Sequence, residues 1–354
     1  YKKQIGEQMK QLKIIVALTA GLFAFTSANA GEMTVTGGMH ATYQSEQNDV
    51  TGNPLGLNTD LTFTGSTDTD FGAVTWSMAT DGTFAGDTGA DHQLSLASSY
   101  GTFEVGNTGD SANAVDDITP TAFEEANGAG SGTYASDFGS GMEGSMRLGY
   151  ALGDILGTGV SVDYSYYPKL DGTTNNEKAA SGDASNIKKS AQSINVGLPL
   201  AGLPGVGSTP IGGAKITLGY NKSDAQSDDF QNQEGGTVAV VVPVGPLKVG
   251  YQKKAYANAS TSNTGANSTD TFFKDDIIGI AFAVNDELAL SYNRIESARH
   301  NETGINQEQE TKAYNVAYTI GGLTLALQDA KTSNDGYSAG TDDETRTISV
   351  KTGF

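Results

Sequence analysis

The stretch Asn107 to Glu143 carries seven carboxylates and no Lys or Arg, and it is rich in Gly, Ala and Ser. Its acidic residues are Asp110, Asp116, Asp117, Glu124, Glu125, Asp137 and Glu143. Acidic side chains around a narrow passage bias which ions enter it. A connection of this length without strand periodicity is usually functional or disordered. The stretch is therefore the candidate functional element.

Catalytic chemistry has little support in the sequence. The chain has three histidines, His40, His92 and His300, and no cysteine. A hydrolase needs a Ser or Asp paired in space with a His, and no spacing here singles out such a pair. We predict that the protein is not an enzyme.

The acidic loops also show no defined pattern of metal ligands. Ca²⁺ takes about six to eight oxygen ligands, and no segment of the sequence supplies them at a recognisable spacing. We predict no cofactor and no dedicated metal site, with at most weakly bound Ca²⁺ or Mg²⁺ at the acidic loops.

Residues 1–30 have the features of a processing signal and not of a folded segment. Met9 opens a short basic region, the apolar run Ile14 to Phe25 follows, and Ala28-Asn29-Ala30 is a small-x-small cleavage site. The apolar run is too short to span a bilayer comfortably. We predict cleavage after Ala30, with residues 1–8 as upstream sequence and residues 31–354 as the folded unit.

The charge balance is strongly acidic and unevenly distributed. The chain has 21 basic and 41 acidic residues, and without residues 1–30 it has 17 and 40. From Gly31 to Met146 there are seventeen Asp and Glu and no Lys or Arg. Because no basic face is available to neutralise phosphates, we exclude nucleic acid as a partner.

The remainder of the chain alternates apolar and polar residues with a period of two, which is typical of strands with one apolar face. The opening segment Met33–Tyr43 shows this pattern, and no segment has helical spacing. Sixteen segments follow the pattern in all. The later fifteen are marked by Leu61–Phe63, Val74–Met78, Leu94–Leu96, Phe103–Val105, Met146–Tyr150, Val160–Tyr166, Ile194–Leu198, Ile216–Tyr220, Val238–Val242, Leu247–Tyr251, Ile278–Phe282, Leu288–Tyr292, Tyr314–Tyr318, Leu323–Leu327 and Ile348–Val350.

The lengths of the connections distinguish a membrane barrel from a soluble sandwich. Long polar gaps, such as Pro168–Ser190 and Arg299–Glu310, alternate with tight turns such as Gly321-Gly322. Ala201–Gly213 is the exception, a long connection on the short-turn side. Long loops on one rim, short turns on the other and an even strand number describe an outer-membrane barrel. We predict an all-β fold, a closed antiparallel transmembrane barrel of sixteen strands, with Asn107–Glu143 folded into its bore.

Aromatic residues mark the two ends of these segments. Tyr43, Tyr166, Tyr220, Tyr251 and Tyr292 lie toward the long loops, and Tyr150, Phe282, Tyr318 and Phe354 lie toward the short turns. Two aromatic girdles at the membrane interfaces would produce this arrangement. The alternative is the ordinary enrichment of aromatic residues in strands.

From residue 31 onward the chain resembles the general-diffusion porins of Gram-negative bacteria, and it is most similar in character to the alphaproteobacterial ones. The resemblance is carried by the signal segment, the opening strand Val35–Tyr43, the longest loop after the fifth strand, and the terminal Phe354. It implies an outer-membrane homotrimer in contact with lipid and lipopolysaccharide. It also implies that the barrel-assembly machinery recognises Phe354 and that the third loop narrows the pore.

In the family the acidic third loop faces arginines on the second and fourth strands. The positions in this chain that resemble those arginines are Asp60 and Gln93, so the basic half of the pattern is missing. Four basic residues of the later strands stand at positions that alternate with the apolar ones, so they should face the bore. Arg147 is the best placed of them to replace the missing arginines. The predicted wall residues are His40, Asp60, Gln93, Arg147, Lys215, Lys248 and Lys351, and the predicted constriction acids are Asp110, Asp116, Asp117, Glu124 and Glu125.

These residues predict a porin that prefers cations and passes small hydrophilic solutes by passive diffusion. The alternatives are a substrate-selective channel, which would need a basic cluster or an aromatic slide, and a non-conducting structural or adhesin barrel with a plugged bore. Conductance separates these alternatives.

Overall fold

The structure is a computed structural model. It describes residues 32–47, 53–81, 91–124, 126, 142, 145–170, 188–202, 205–209, 211–225, 232–257, 271–301 and 307–353. The predicted signal segment, its cleavage site after Ala30, and the predicted assembly signal Phe354 lie outside these residues.

Sixteen antiparallel strands form a closed barrel in which each strand pairs with its sequence neighbours and the last strand pairs with the first. All sixteen segments predicted from alternation are strands, which confirms the predicted fold class. Within the described ranges no helix has the length and apolarity to cross a membrane. The strands are β1 (Glu32–Glu46), β2 (Leu55–Thr69), β3 (Gly72–Asp81), β4 (Asp91–Ser98), β5 (Gly101–Gly106), β6 (Arg147–Leu152), β7 (Ser161–Tyr167), β8 (Lys188–Pro199), β9 (Lys215–Ala225), β10 (Gln233–Val244), β11 (Leu247–Ala257), β12 (Thr271–Ala283), β13 (Leu288–Asn301), β14 (Gln307–Ile320), β15 (Leu323–Ser333) and β16 (Asp342–Gly353).

The two faces of the sheet differ in polarity because side chains alternate along each strand. On the outer face, Phe282, Leu290, Val316 and Leu327 form a row across β12 to β15 and are each between 38% and 40% exposed. The inner face carries Ser, Thr, Asn and Gln at the alternate positions. An apolar outer face and a polar inner face are what a lipid-embedded barrel with an aqueous bore requires.

Several strands extend further toward the loops than the apolar pattern predicts. The predicted loop Arg299–Glu310 is shorter in the structure, because β13 continues to Asn301 and β14 begins at Gln307. The extra length carries charged residues on the outer face that pair between strands. Arg294 forms an ion pair with Glu310, and Lys331 Nζ lies 3.1 Å from Glu344 Oε1. Apolar alternation therefore located the membrane-spanning part of each strand and missed its polar end.

The predicted exception on the short-turn rim, Ala201–Gly213, connects β8 to β9, and its described residues are folded against the barrel end. Leu200 N donates to Ala214 O at 2.8 Å, which closes the connection at its base. A Cβ atom added to Gly202 would lie 2.2 Å from Thr158 O, so the connection packs against the turn between β6 and β7.

The loss of stability caused by an added charge should differ between the two faces of the barrel. Val316→Arg places a cation on the lipid face and should lower the free energy of unfolding from a bilayer by about 2–4 kcal/mol. Ser77→Arg places it on the inner face of β3 and should cost much less. Urea titration of the protein folded into vesicles measures both values. Equal destabilisation by the two variants would contradict the assignment of the faces.

Candidate pore-lining site

Loop 3 comprises residues 107–146 between β5 and β6. Its first residues, Thr108 and Gly109, which we call the loop root, are held by Arg147, the first residue of β6. Arg147 is 1% exposed. Its guanidinium donates to Thr108 O at 2.8 Å and Gly109 O at 2.6 Å, and its Nη2 lies 2.7 Å from Glu104 Oε2. Gly149 leaves room for this group, because an added Cβ would lie 2.1 Å from Arg147 Nη1. Arg147 therefore fixes the start of loop 3 to the inner wall.

The next residues of loop 3 lie against β7 and β8. Ser111 N donates to Ser165 Oγ at 3.1 Å, and the hydroxyls of Ser111 and Ser193 are 2.6 Å apart. Asn195 Nδ2 donates to Ser111 O at 2.9 Å. Because Ser165, Ser193 and Asn195 are inward-facing residues of their strands, this part of loop 3 lies inside the barrel.

The loop then reaches β11, where one glutamine holds two of its carbonyls. Gln252 Nε2 donates to Val115 O at 2.8 Å and to Asp116 O at 2.9 Å. Lys254 Nζ lies 3.0 Å from Asp116 Oδ1. The Asp116 carboxylate is thus neutralised by a lysine that is 4% exposed.

Beyond Asp116 the loop crosses β13 to β15 through further side-chain amides. Asn293 Nδ2 donates to Pro120 O at 3.1 Å. Asn315 Nδ2 and Gln328 Nε2 both donate to Glu124 O, at 2.9 and 3.1 Å. The inner-wall amides therefore satisfy backbone carbonyls that have no partner within a strand.

An aromatic contact carries the loop to the first strand. The ring of Phe123 meets the ring of His40 edge-on, with centroids 6.1 Å apart. His40 Nε2 lies 2.6 Å from Ser349 Oγ on β16. Residues 107–124, which we call the outgoing arm, therefore lie along the inner wall from β6 past β7–β15 to the β16–β1 seam.

The outgoing arm leaves the inner faces of β2 to β5 accessible. Asp60 on β2 is exposed, and its Oδ1 accepts a hydrogen bond from Asn58 Nδ2 at 2.9 Å. Thr62 and Ser95 are half-buried and polar. Gln93 lies beside the loop root, since a Cβ added to Gly109 would be 3.3 Å from Gln93 Oε1. Among the described residues, this sector, which we call the uncovered sector, is thus a polar wall whose exposed acids include Asp60 and, near the turn to β3, Asp68.

The predicted constriction acids occupy different environments. Asp110 is buried and caps its own loop, with Ala112 N donating to its Oδ1 at 2.7 Å. Asp116 is ion-paired, Asp117 is exposed, and Glu124 is half-buried. Glu125 lies outside the described residues, as do Asp137 and Glu143.

The predicted basic residues do not face the outgoing arm as a group. Arg147 has the predicted inward parity, but its guanidinium is bonded at the loop root and contributes no exposed positive surface. Lys215, Lys248 and Lys351 are exposed and lie near the short-turn ends of β9, β11 and β16. Within the described part of the chain, no group of three or more His, Cys, Asp or Glu side chains is arranged to hold a metal ion.

Sequence reasoning missed the amides that receive loop 3. Gln252, Asn293, Asn315 and Gln328 stood at inward positions of predicted strands and were indistinguishable there from ordinary wall residues. The available signal was that carboxamides occur on the inner face of several strands in the second half of the chain, where the first half carries few.

Solved structures with a similar fold include outer-membrane proteins and porins. OmpT of Vibrio cholerae, an outer membrane protein, has a TM-score of 0.64 at 10% identity, over 94% of this chain and 100% of its own. The anion-selective porin of Comamonas acidovorans has a TM-score of 0.65 at 12% identity, over 92% and 100%. The outer membrane channel DcaP of Acinetobacter baumannii has a TM-score of 0.61 at 12% identity, over 93% and 99%.

No protein-family model and no curated protein sequence matches the chain. At these identities the structural likeness defines the fold. The fold is that of the porin-type outer-membrane barrels.

Because Arg147 is buried and bonded to the loop root, removing its side chain should lower the stability of the protein strongly. Arg147→Met leaves the Glu104 carboxylate and two loop carbonyls without their donor, and should lower the free energy of unfolding by about 3–5 kcal/mol. The double variant Arg147→Met with Glu104→Leu should recover part of that loss, because no lone charge remains.

Arg346→Met is the control for this measurement, because Arg346 pairs with Asp329 on the exposed outer face. Exposed pairs contribute little, so its unfolding free energy should stay close to the wild-type value. Urea unfolding in vesicles gives all three numbers. An equal loss for the Met substitutions at positions 147 and 346 would show that the loop root carries no special stability.

Proposed function

We propose that the protein is a porin, a water-filled channel through which small hydrophilic solutes and ions diffuse passively. The observation that carries this proposal is the uncovered polar sector of β2 to β5 beside an outgoing arm that is fixed to the opposite wall. A plugged barrel would place large side chains across this sector, and its described inward positions are mostly Thr, Ser, Gly and Ala. The structural neighbours, which include porins and an outer membrane channel, support the same class.

The channel is proposed to prefer cations. Asp60 on β2 and Asp117 on the outgoing arm are exposed, and Glu124 is half-buried. The low-dielectric wall focuses their field, while salt screens it beyond about 8 Å, so the result is a preference and not an exclusion. The anion-selective porin from Comamonas acidovorans has the same architecture. The fold alone therefore does not decide whether cations or anions are preferred. The charges beside the passage must decide it.

The proposed activity is transport without catalysis. A substrate-selective channel is the second candidate, but the described sector has neither an aromatic slide nor a basic cluster to favour it. An open general pore conducts steadily and shows no saturation by a sugar, which separates it from a selective channel and from a closed adhesin barrel.

The proposed location is the outer membrane of a Gram-negative bacterium, with the apolar outer face in lipid and the charged strand ends at the level of lipopolysaccharide. The assembly machinery is proposed to recognise the terminal Phe354. Weak Ca²⁺ or Mg²⁺ binding stays a prediction for the acidic surface loops, most of which lie outside the described residues.

Ion selectivity is tested by the reversal potential across a planar bilayer in a KCl gradient. We expect a cation preference for the wild-type protein. Asp117→Asn combined with Asp60→Asn should lower the permeability ratio of K⁺ to Cl⁻ by roughly a factor of two or more, because both charges face the passage.

Asp329→Asn is the control, since it removes one carboxylate charge from the outer face. Its reversal potential should equal that of the wild type. Anion preference of the wild-type protein, or an equal shift in the control, would reject the proposed role of these acids.

The protein is further proposed to be a homotrimer, as cyclic symmetry and a trimeric form of the similar Vibrio cholerae OmpT suggest. Crosslinking of the protein in unheated detergent extracts should give a ladder that ends at three chains. A ladder that ends at one chain in outer membranes and in extracts alike would refute it.

A further inference from the structure

Two glycines on adjacent strands form a recess in the inner wall beneath loop 3. Gly250 on β11 and Gly279 on β12 are direct partners in the strand register, and both are buried. Asn293 on β13 is the next residue of the same row. The three positions lie side by side on the inner face.

The outgoing arm fills this recess so closely that no side chain fits there. A Cβ atom added to Gly250 would lie 2.3 Å from Pro120 Cδ. One added to Gly279 would lie 2.7 Å from Pro120 O and 2.8 Å from Thr119 Cβ. These separations are far below normal carbon contact distances, so either change requires the arm to move.

Backbone conformation does not explain these glycines. Both lie within regular antiparallel strands and neither has a positive φ. Glycine in the interior of a strand weakens it, and its usual reason is a turn, a bulge or the close approach of another backbone. At Gly250 and Gly279 that reason is the approach of Thr119 and Pro120.

The arm is also suited to the recess. Pro120 has no N–H group, so it can lie flat on the wall without leaving an unpaired donor. Its carbonyl accepts from Asn293 Nδ2 at 3.1 Å, and Thr119 is 7% exposed. Shape and hydrogen bonding therefore hold the arm at the same place.

We propose that Gly250 and Gly279 are positioning residues that set how far loop 3 projects into the bore, and through it the cross-section of the channel. The proposal rests on the proposed porin function. A methyl group at either position displaces the arm by about 1 Å, the difference between the spacing found and an ordinary contact. Because the wall lies behind the arm, the displacement is toward the passage.

The first experiment measures the position of the arm without using conduction. The chain has no cysteine, so Thr119→Cys introduces a single thiol into the recess. This thiol should react slowly with a membrane-impermeant maleimide. Adding Gly250→Ala or Gly279→Ala should accelerate labelling by about tenfold or more, because labelling follows the population in which the arm has left the recess.

Gly236→Ala is the control substitution, since it lies on the outer face of the neighbouring strand β10 and its added Cβ has no atom closer than 4.0 Å. It should leave the labelling rate of the thiol introduced at position 119 unchanged. Asp117→Cys is the accessibility control and should label quickly in every background, because Asp117 is exposed. Heat-modifiable migration on gels shows that each variant forms a folded barrel.

A suppressor variant distinguishes contact with Pro120 from general loosening of the barrel. The atoms that a methyl group at position 250 meets first are Cδ and Cγ of Pro120, which alanine lacks. Pro120→Ala should therefore restore slow labelling in the Gly250→Ala background. It should not restore slow labelling in the Gly279→Ala background, where the contacts are Pro120 O, Thr119 Cβ and Asn293 Nδ2.

Single-channel conductance then tests the consequence for the pore. Gly250→Ala and Gly279→Ala should each lower conductance relative to the wild type and to Gly236→Ala. Labelling rates equal to those of Gly236→Ala would overturn the proposed recess. Faster labelling with unchanged conductance would overturn its role in setting the cross-section. A wild-type protein that does not conduct would reject the porin function instead, while the labelling result would still decide whether the glycines seat the arm.

Discussion

Hydrogen bonds from neutral side-chain amides to the backbone carbonyls of loop 3 are the interaction on which the interior of this barrel depends. Buried carbonyl groups need donors, and an irregular segment inside a barrel cannot obtain them from a strand partner. Asn195, Gln252, Asn293, Asn315 and Gln328 supply those donors from five strands of the inner wall. The path of the loop follows the positions of these side chains.

The neutrality of these donors has an electrostatic consequence. A wall that held the loop with arginines would also neutralise its acids. Within the described part of the arm, Lys254 forms an ion pair with Asp116, while Arg147 binds carbonyls of the loop root and the carboxylate of Glu104. Asp117 on the arm and Asp60 on β2 are both exposed. Under the proposed function, anchoring and selectivity are therefore separate: the amides fix the loop, and the exposed carboxylates set the ion preference.

The extent of prediction from sequence differs between the barrel and its interior. Alternation of period two located all sixteen strands, because lipid on one side and water on the other impose that pattern on each strand separately. It gave the inward parity of Arg147 but could not show that the guanidinium is buried at the loop root. Nor could it distinguish Gly250 and Gly279 from other strand glycines. Both facts depend on contacts with a loop that lies far from these residues in the sequence, which no local pattern encodes.

The most direct test of this account maps which parts of the inner wall the passage reaches. Single cysteines at Thr62 and Ser95 lie in the uncovered sector, and single cysteines at Ser193 and Ser291 lie beneath the outgoing arm. A bulky charged thiol reagent added during bilayer recording should reduce the current through channels with Thr62→Cys or Ser95→Cys. It should leave channels with Ser193→Cys or Ser291→Cys unchanged. Rapid modification and block at positions 193 and 291 would show that loop 3 does not lie on that wall.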